Sequence, residues 1–385
     1  MAFGGGGSSI PETLPHTHNA ALSGDGGDLS ETLTDMNGVA LYSLITDNSA
    51  AVALNTADIA ANTAAIAGLD EIIPPLPEVY STRWVSREAA TATGWECVTW
   101  SPELTLFCSL GSDDCMTSPD GITWTQRNSP GNLAWNGIEW SSDLSLFCCV
   151  GSWTANRVAT STNGTTWTSR TAAENNYWRS IVWSPDETLF CAVSSDGTNR
   201  VMTSPDGITW TSRSAAEANQ WKSVVYSPEL TLFCAVSSDG TNRVMTSPDG
   251  ITWTSRSAAE ANQWKSVVYS PELTLFCAVS SDGTNRVMTS PDGITWTSRA
   301  AAAANEWHEV TWSPYLGIFC AVSETGTNNR VMTSPDGITW TSQVSAADNP
   351  WKGLVWSPEL LKFVSVASSG TTATKVMNTM AGTCC

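Results

Sequence analysis

The sequence predicts a mainly β protein: a seven-bladed β-propeller of four-stranded blades with N-terminal strand closure, preceded by a short trimeric α-helical coiled coil and an N-terminal anchoring region. Three observations carry this expectation. The stretch "SPDGITWTSR" at 290–299 has close copies whose tryptophans are Trp124, Trp167, Trp210, Trp253, Trp296 and Trp340, spaced by 43 or 44 residues. A second series, Trp95, Trp135, Trp178, Trp221, Trp264, Trp307 and Trp351, keeps nearly the same step. Near the front, Ile45, Val52, Ile59 and Ile66 recur every seven residues.

A repeat of this length built from short strands points to a blade. Within 221–256 the segments "KSVVY", "LTLFCAVS", "RVMTS" and "ITWTSR" read as strands, separated by "SPE", "SDGTN" and "PDG". Those separators turn the chain because Pro presets φ and because Gly and Asp tolerate unusual φ. The unbroken apolar run "LFCAV" calls for cover on both faces. Four antiparallel strands with both sheet faces buried describe a propeller blade. The second tryptophan series has seven members and the first only six. The seventh is Trp84 in "RWVSR", detached at the front, while the unit starting at Trp351 runs out before any "DGITW". The N-terminal strand is therefore expected to complete blade seven.

Composition narrows the partners. A net charge of -19 and a pI near 4.4 argue against nucleic acid and anionic membranes, which need clustered Lys and Arg. No apolar run of about 18 residues suits membrane insertion, and no secretion signal opens the chain, so a soluble product of a cytosol is expected. Cys108, Cys148, Cys191, Cys234, Cys277 and Cys320 share one "LFC"-like position, and Val364 takes that place in the last unit. Neighbouring equivalents would lie about 10 Å apart, beyond the roughly 7 Å Cα reach of a disulfide. They read as small buried apolar residues. Cys384 and Cys385 stay unassigned.

The front of the chain divides into three parts. Residues 1–44 are rich in Gly and Asp, 45–70 carry the heptad, and 71–80 hold three prolines that favour a stiff connector to the propeller at 81–385. Asn48, Asn55 and Asn62 each follow an apolar heptad residue by three positions. A buried Asn costs stability unless its polar groups are satisfied. This pattern resembles the polar core of trimeric autotransporter adhesins and phage fibres, which implies a homotrimer with an anion such as chloride ringed by Asn on the threefold axis. An amphipathic helix packed on a globular core is the other reading, for which the segment has few large apolar residues. Residues 14–44 resemble attachment regions of phage appendages, which implies anchoring to other virion proteins. His16 and His18 form an H-x-H that on a threefold axis would enclose an octahedral metal ion; a plain polar loop is the alternative.

"SPDGITW" resembles the Asp-box, or BNR repeat, of sialidases, sortilin-like receptors and phage surface proteins, one residue shorter than usual, with Asn163 for Asp in the second copy. The resemblance implies a hairpin between the third and fourth strands, remote from any active site. Physically, Asp would accept turn amides, Gly would relieve the backbone and Trp would pack between blades. A sialidase needs a unique arginine triad at the ring centre. Here Arg200, Arg243, Arg286 and Arg330, like Arg170, Arg213, Arg256 and Arg299, recur at equivalent positions. Residues supplied once per blade read as blade parts. No Gly-rich phosphate loop, HExxH or GxSxG is present, so no catalytic residue is assigned and no enzyme activity is expected.

The turns "SPEL" and "SPDG" hardly vary and fall on one face of the ring; the variable connections fall on the other. Loops that diverge on a uniform scaffold are where recognition is usually placed. Trp153, Asn156, Asn175, Asn176, Tyr177 and His308 are the receptor-binding candidates, because aromatics and amides suit sugar faces and hydroxyls. His308, the one histidine of this domain, reads as a surface residue in preference to a general base. The combined expectation is a virion fibre or spike protein, made in the host cytoplasm, binding a host-surface glycan or protein through three propeller heads with gain by avidity. The rivals are a tailspike glycosidase with carboxylates at the ring centre and a structural capsid fibre or decoration protein without a specific ligand.

Overall fold

Strand one of the unit beginning at Trp221 spans Trp221–Ser227 and is followed by Leu232–Ser237, Val244–Ser247 and Thr254–Arg256. The computed structural model describes residues 83–131, 134–152 and 157–379. The readings placed on His16, His18, Asn48, Asn55, Asn62, Trp153, Asn156, Cys384 and Cys385 lie outside the described residues. The chain divides into two units, Met1–Tyr80 and Ser81–Cys385, and the account below concerns the second.

Seven four-stranded antiparallel sheets form the blades. Six of them use consecutive strands, in blades spanning 95–127, 134–170, 178–213, 221–256, 264–299 and 307–343. The seventh takes three strands from 351–379 and its outer strand from Trp84–Arg87. The register runs from Trp84 opposite Thr379 to Arg87 opposite Val376. The seven-bladed propeller with N-terminal closure is thus as expected from the tryptophan count.

The apolar run of strand two feeds two core layers at once. Phe233, Cys234, Ala235 and Val236 are all fully buried. Side chains alternate across a strand, so Phe233 and Ala235 join the layer towards the preceding blade with Cys191 and Trp221. Cys234 and Val236 join the next layer with Trp264 and Phe276. The same partition recurs around the ring, and each layer welds two blades. All nine described cysteines are buried free thiols, among them the six for which the repeat position implied it.

The fourth strand is shorter than the sequence suggested: it begins at Thr254, after "ITW" instead of within it. The reason is the turn. Asp249 Oδ1 accepts the backbone N–H groups of Ile251 and Thr252 at 2.8 and 2.9 Å and the Ser247 hydroxyl at 3.0 Å. With those amides held by a side chain, the ladder starts only beyond Trp253. Gly250 sits at φ 69°, the left-handed region that glycine enters without cost. Trp253 is 8% exposed and packs on Phe233 at 6.3 Å.

A second device ties blade to blade. In five of the seven blades the acidic residue of the turn after strand one reaches the aromatic residue near the end of strand one in the next blade. Glu103 accepts from Trp140 Nε1 at 2.6 Å, Asp143 from Trp183 at 2.7 Å and Asp186 from the Tyr226 hydroxyl at 3.0 Å. Glu272 accepts from Trp312 and Glu359 from Trp100, both at 2.6 Å, the last closing the ring. Two blades break the series: in blade four Glu229 makes no such bond and the Tyr269 hydroxyl of blade five is buried without a partner among the described residues, and blade six lacks the acid altogether. It carries Tyr315, 58% exposed, at the acidic position, and Trp356 Nε1 in blade seven is buried without a partner among the described residues.

Candidate functional site

Strand one of every blade faces the ring centre, packed against the first strands on either side. Each begins at a fully buried tryptophan of the second series. Immediately after it, the pairing with strand two skips one residue: Trp178 lies opposite Ser194, but Ser180 lies opposite Val193. The same irregularity recurs in all seven blades. A bulge leaves one residue out of the ladder and re-aims its side chain. The residues released are Glu96, Asn136, Arg179, Lys222, Lys265, His308 and Lys352, one per blade, and all line a central cavity of about 550 Å³.

These side chains sit at the end of the channel where the variable connections meet. The loop before strand one and the loop between strands two and three are joined there by backbone bonds, such as Ser195 N to Tyr177 O at 3.0 Å and Ser238 N to Gln220 O at 3.0 Å. The two kinds of variable connection thus share one face, as the blade anatomy implied. Expectation and structure differ on what once-per-blade residues mean. Arg200, Arg243 and Arg286 do brace blades, each donating to a carbonyl 19 residues on (Asn219, Asn262 and Asn305). Arg213 and Arg256 clip strand four to Thr203 and Thr246. The bulged residue is the exception: supplied once per blade, it converges on the axis and takes acidic, amide, imidazole and cationic forms around the ring.

The ring is electrostatically lopsided. Arg179, Lys222 and Lys265 come from three consecutive blades. Arg179 donates Nε to the Ser195 hydroxyl at 3.1 Å and an amino group to Asn136 Oδ1 at 3.5 Å. Lys222 reaches Gln220 Oε1 at 3.2 Å, while Lys265 Nζ has no hydrogen bond or salt bridge among the described residues. Burial, and then the charges of Arg179 and Lys265, pull the Lys222 ammonium down to about 8. Burial lowers Lys265 and Arg179 as well.

Opposite them, Lys352 pairs with Glu324 at 2.8 Å, and His308 lies between: Nδ1 is 3.0 Å from Lys352 O and Nε2 is 3.6 Å from Glu324. Burial and the adjacent ammonium push His308 down to about 3, so it is a neutral ring at physiological pH. Burial acts to raise Glu324, but the hydrogen bond and charge of Lys352 outweigh it and hold that carboxylate below its ordinary value. Deeper in the channel are two more acids. Burial raises Glu139 to about 8 and Glu309 to about 7, the latter accepting the Ser266 hydroxyl at 2.6 Å. Glu96 is also raised by burial.

Of the loop candidates, Asn175 is exposed and His308 lines the cavity. Tyr177 is half-buried, with the Arg157 guanidinium 5.6 Å from its ring centre. Asn176 is only 4% exposed, and its amide donates to Asn199 O at 2.6 Å. Asn219 and Asn262 repeat that bond with Asn242 and Asn285, so the amide of Asn176 is spent inside the fold. The bulged cations were not singled out from sequence. Their signal was present: the residue after each second-series tryptophan is polar in all seven blades, at the start of a strand that is otherwise largely apolar.

No family model and no curated protein matches the sequence. Solved structures match in fold. A streptogramin B lyase superposes with a TM-score of 0.65 at 9% identity, over 77% of this chain and 96% of the lyase. YCF48 bound to a D1 peptide gives 0.59 at 14% identity, over 80% and 98%. A chain of a mitotic checkpoint complex gives 0.58 at 12% identity, over 80% and 95%. Proteins of such different description share the propeller and nothing closer, so the likeness speaks for the scaffold alone.

Proposed function

We propose that the propeller is the ligand-binding head of a phage virion fibre or spike protein, engaging a host-surface glycan at the channel mouth on its variable-loop face. One observation carries this reading. In a chain built of repeated blades, the bulged residue takes five identities around the ring, Glu, Asn, Arg, His and three times Lys, while it lines one cavity. Its volume falls within the range of small-ligand sites. The Asp-box resemblance of "SPDGITW" fits a binding head of this kind. So do the further parts of the proposal: a homotrimer with Asn48, Asn55 and Asn62 around an anion, residues 1–44 anchoring to other virion proteins, and His16 and His18 as metal ligands.

A glycan array probed with the full-length chain tests the reading. Retention of a defined set of saccharides, lost with His308→Ala or Asn136→Ala and kept with Ile251→Ser on the opposite face, is the expected result. Loss with Ile251→Ser and retention with the channel variants would overturn it.

A second reading has its own support. Glu139 and Glu309 line the same channel and hold protons near neutral pH, as a general acid of a glycosidase must. Release of new reducing ends from a bound polysaccharide, lost in Glu309→Gln, would favour hydrolysis over binding alone.

A further inference from the structure

We propose that the arc of Arg179, Lys222 and Lys265 binds an anionic group, and hence that the ligand of this face is an acidic saccharide bearing carboxylate or sulfate. The inference rests on the reading of the channel mouth as the ligand site and specifies its chemistry.

The arc is unusual for this chain. The protein carries 37 acidic against 18 basic residues, yet three consecutive blades turn a cation into one cavity. Most other described basic side chains are committed to structure: Arg200, Arg243 and Arg286 to carbonyls, Arg213 and Arg256 to threonine hydroxyls, Lys362 to the Asp120 carbonyl at 2.9 Å. Lys265 has no such commitment, and Lys222 has only the amide oxygen of Gln220.

Half-buried like charges repel one another, so three cations kept together with no directly paired carboxylate among the described residues are a binding arrangement more than a stabilising one. The nearby acids do not fill that role. Glu324 is taken by Lys352 at 2.8 Å. Asp239 and Asp282, at the rim, each accept the backbone N–H of a glutamine, Gln220 and Gln263, at 2.6 Å and that glutamine's side-chain amide at 2.9 and 3.0 Å. Asp196 and Glu96 act on Arg179 and Glu306 acts on Lys265 from a distance, but none of them forms a hydrogen bond or salt bridge with the three cations among the described residues, and Asp196 accepts the Tyr177 backbone N–H at 2.5 Å.

The geometry also favours a saccharide over a free ion. The cavity of about 550 Å³ exceeds the space of one small anion, and its wall beyond the arc offers Asn136, the neutral imidazole of His308 and Glu309, groups suited to hydroxyls. Blades four and five supply the two lysines from nearly identical sequence. Duplication has therefore placed two equivalent cations side by side, matching the repeated charges of an acidic polymer.

The test is titration calorimetry of the full chain with four probes: a uronic-acid tetrasaccharide, a sulfated neutral tetrasaccharide, its unsulfated parent and inorganic sulfate. The result expected is binding of one or both charged tetrasaccharides, with the parent and inorganic sulfate at least about tenfold weaker. Which charged probe binds distinguishes carboxylate from sulfate recognition. The double variant Lys222→Gln, Lys265→Gln should weaken the charged probe by at least about tenfold, with a melting temperature unchanged or raised because two repelling charges are gone. Equal affinity for the charged and parent probes, indifference of charged-probe binding to the double variant, or no binding of any anionic probe at low salt would each overturn the proposal. If His308→Ala weakens the charged and parent probes equally while the double variant changes neither, the acidic-ligand proposal fails and the channel-mouth reading survives. If no channel variant affects any probe, both fail.

Discussion

Blade six should be repairable. Tyr315 stands where the neighbouring blades carry the carboxylate that receives an aromatic N–H or O–H, and Trp356 Nε1 is buried without a partner among the described residues. Tyr315→Glu would present the carboxylate that Glu103, Glu272 and Glu359 present at 2.6 Å in other blades. A hydrogen bond to a charged group contributes about 1.5–3 kcal/mol, and ordering a Glu side chain at an exposed turn offsets part of that, leaving about 1–2 kcal/mol. At about 2 cal/mol/K per residue over about 300 residues, unfolding entropy is roughly 0.6 kcal/mol/K, so the melting temperature should rise by about 2–3 °C. Differential scanning calorimetry reads this directly. Trp356→Phe in the parent should cost little, since the N–H it removes is already unsatisfied, and in the Tyr315→Glu background it should erase the gain. A gain that persists in the double variant, or no gain at all, would refute the latch.

Other outcomes follow from the same geometry. Asp249→Ala removes the acceptor of two turn amides and should cost about 0.5–2 kcal/mol, by analogy with losing a helix cap, while saccharide binding on the far face is unchanged in calorimetry. Glu139 is raised to about 8, above the ordinary carboxylate value; its stabilising contribution is full below about 4.5 and is lost as pH rises through 8. Glu139→Gln should therefore melt close to the parent at pH 4.5 and progressively above it towards pH 9. The turn carboxylates Asp206, Asp249 and Asp292 are held below the ordinary value by the turn amides, which outweigh slight burial. Their contribution is present above about 3.8 and is lost below it, so the melting temperature of the parent should fall more steeply than that of Asp249→Asn as pH drops below about 4, the two converging at low pH.

The propeller was legible because its evidence is periodic. Two tryptophan series of different length gave the blade number, and the mismatch located Trp84 as the closing strand. The anatomy of a blade was legible for a related reason: alternating burial on both sides of "LFCAV" is a consequence of composition. The site was less legible. Arg179, Lys222 and Lys265 lie 43 residues apart in sequence, and no local motif links them. What brings them together is a bulge, and a residue that slips out of register leaves no mark in residue type except its polarity. Attention went instead to the loops, where Asn176 looked exposed and is in fact part of the blade. The broken latch was visible as Tyr315 in place of an acid, but its meaning required knowing that the next blade's Trp356 points at it.

The account turns on where the ligand sits. A crystal structure of the full chain with the tightest-binding acidic saccharide decides it. The account predicts a carboxylate or sulfate of the ligand at about 3 Å from Lys222 Nζ and Lys265 Nζ, at the channel mouth. Ligand bound instead at the "SPDG" turns, or along the outer strands with the channel empty, would contradict it.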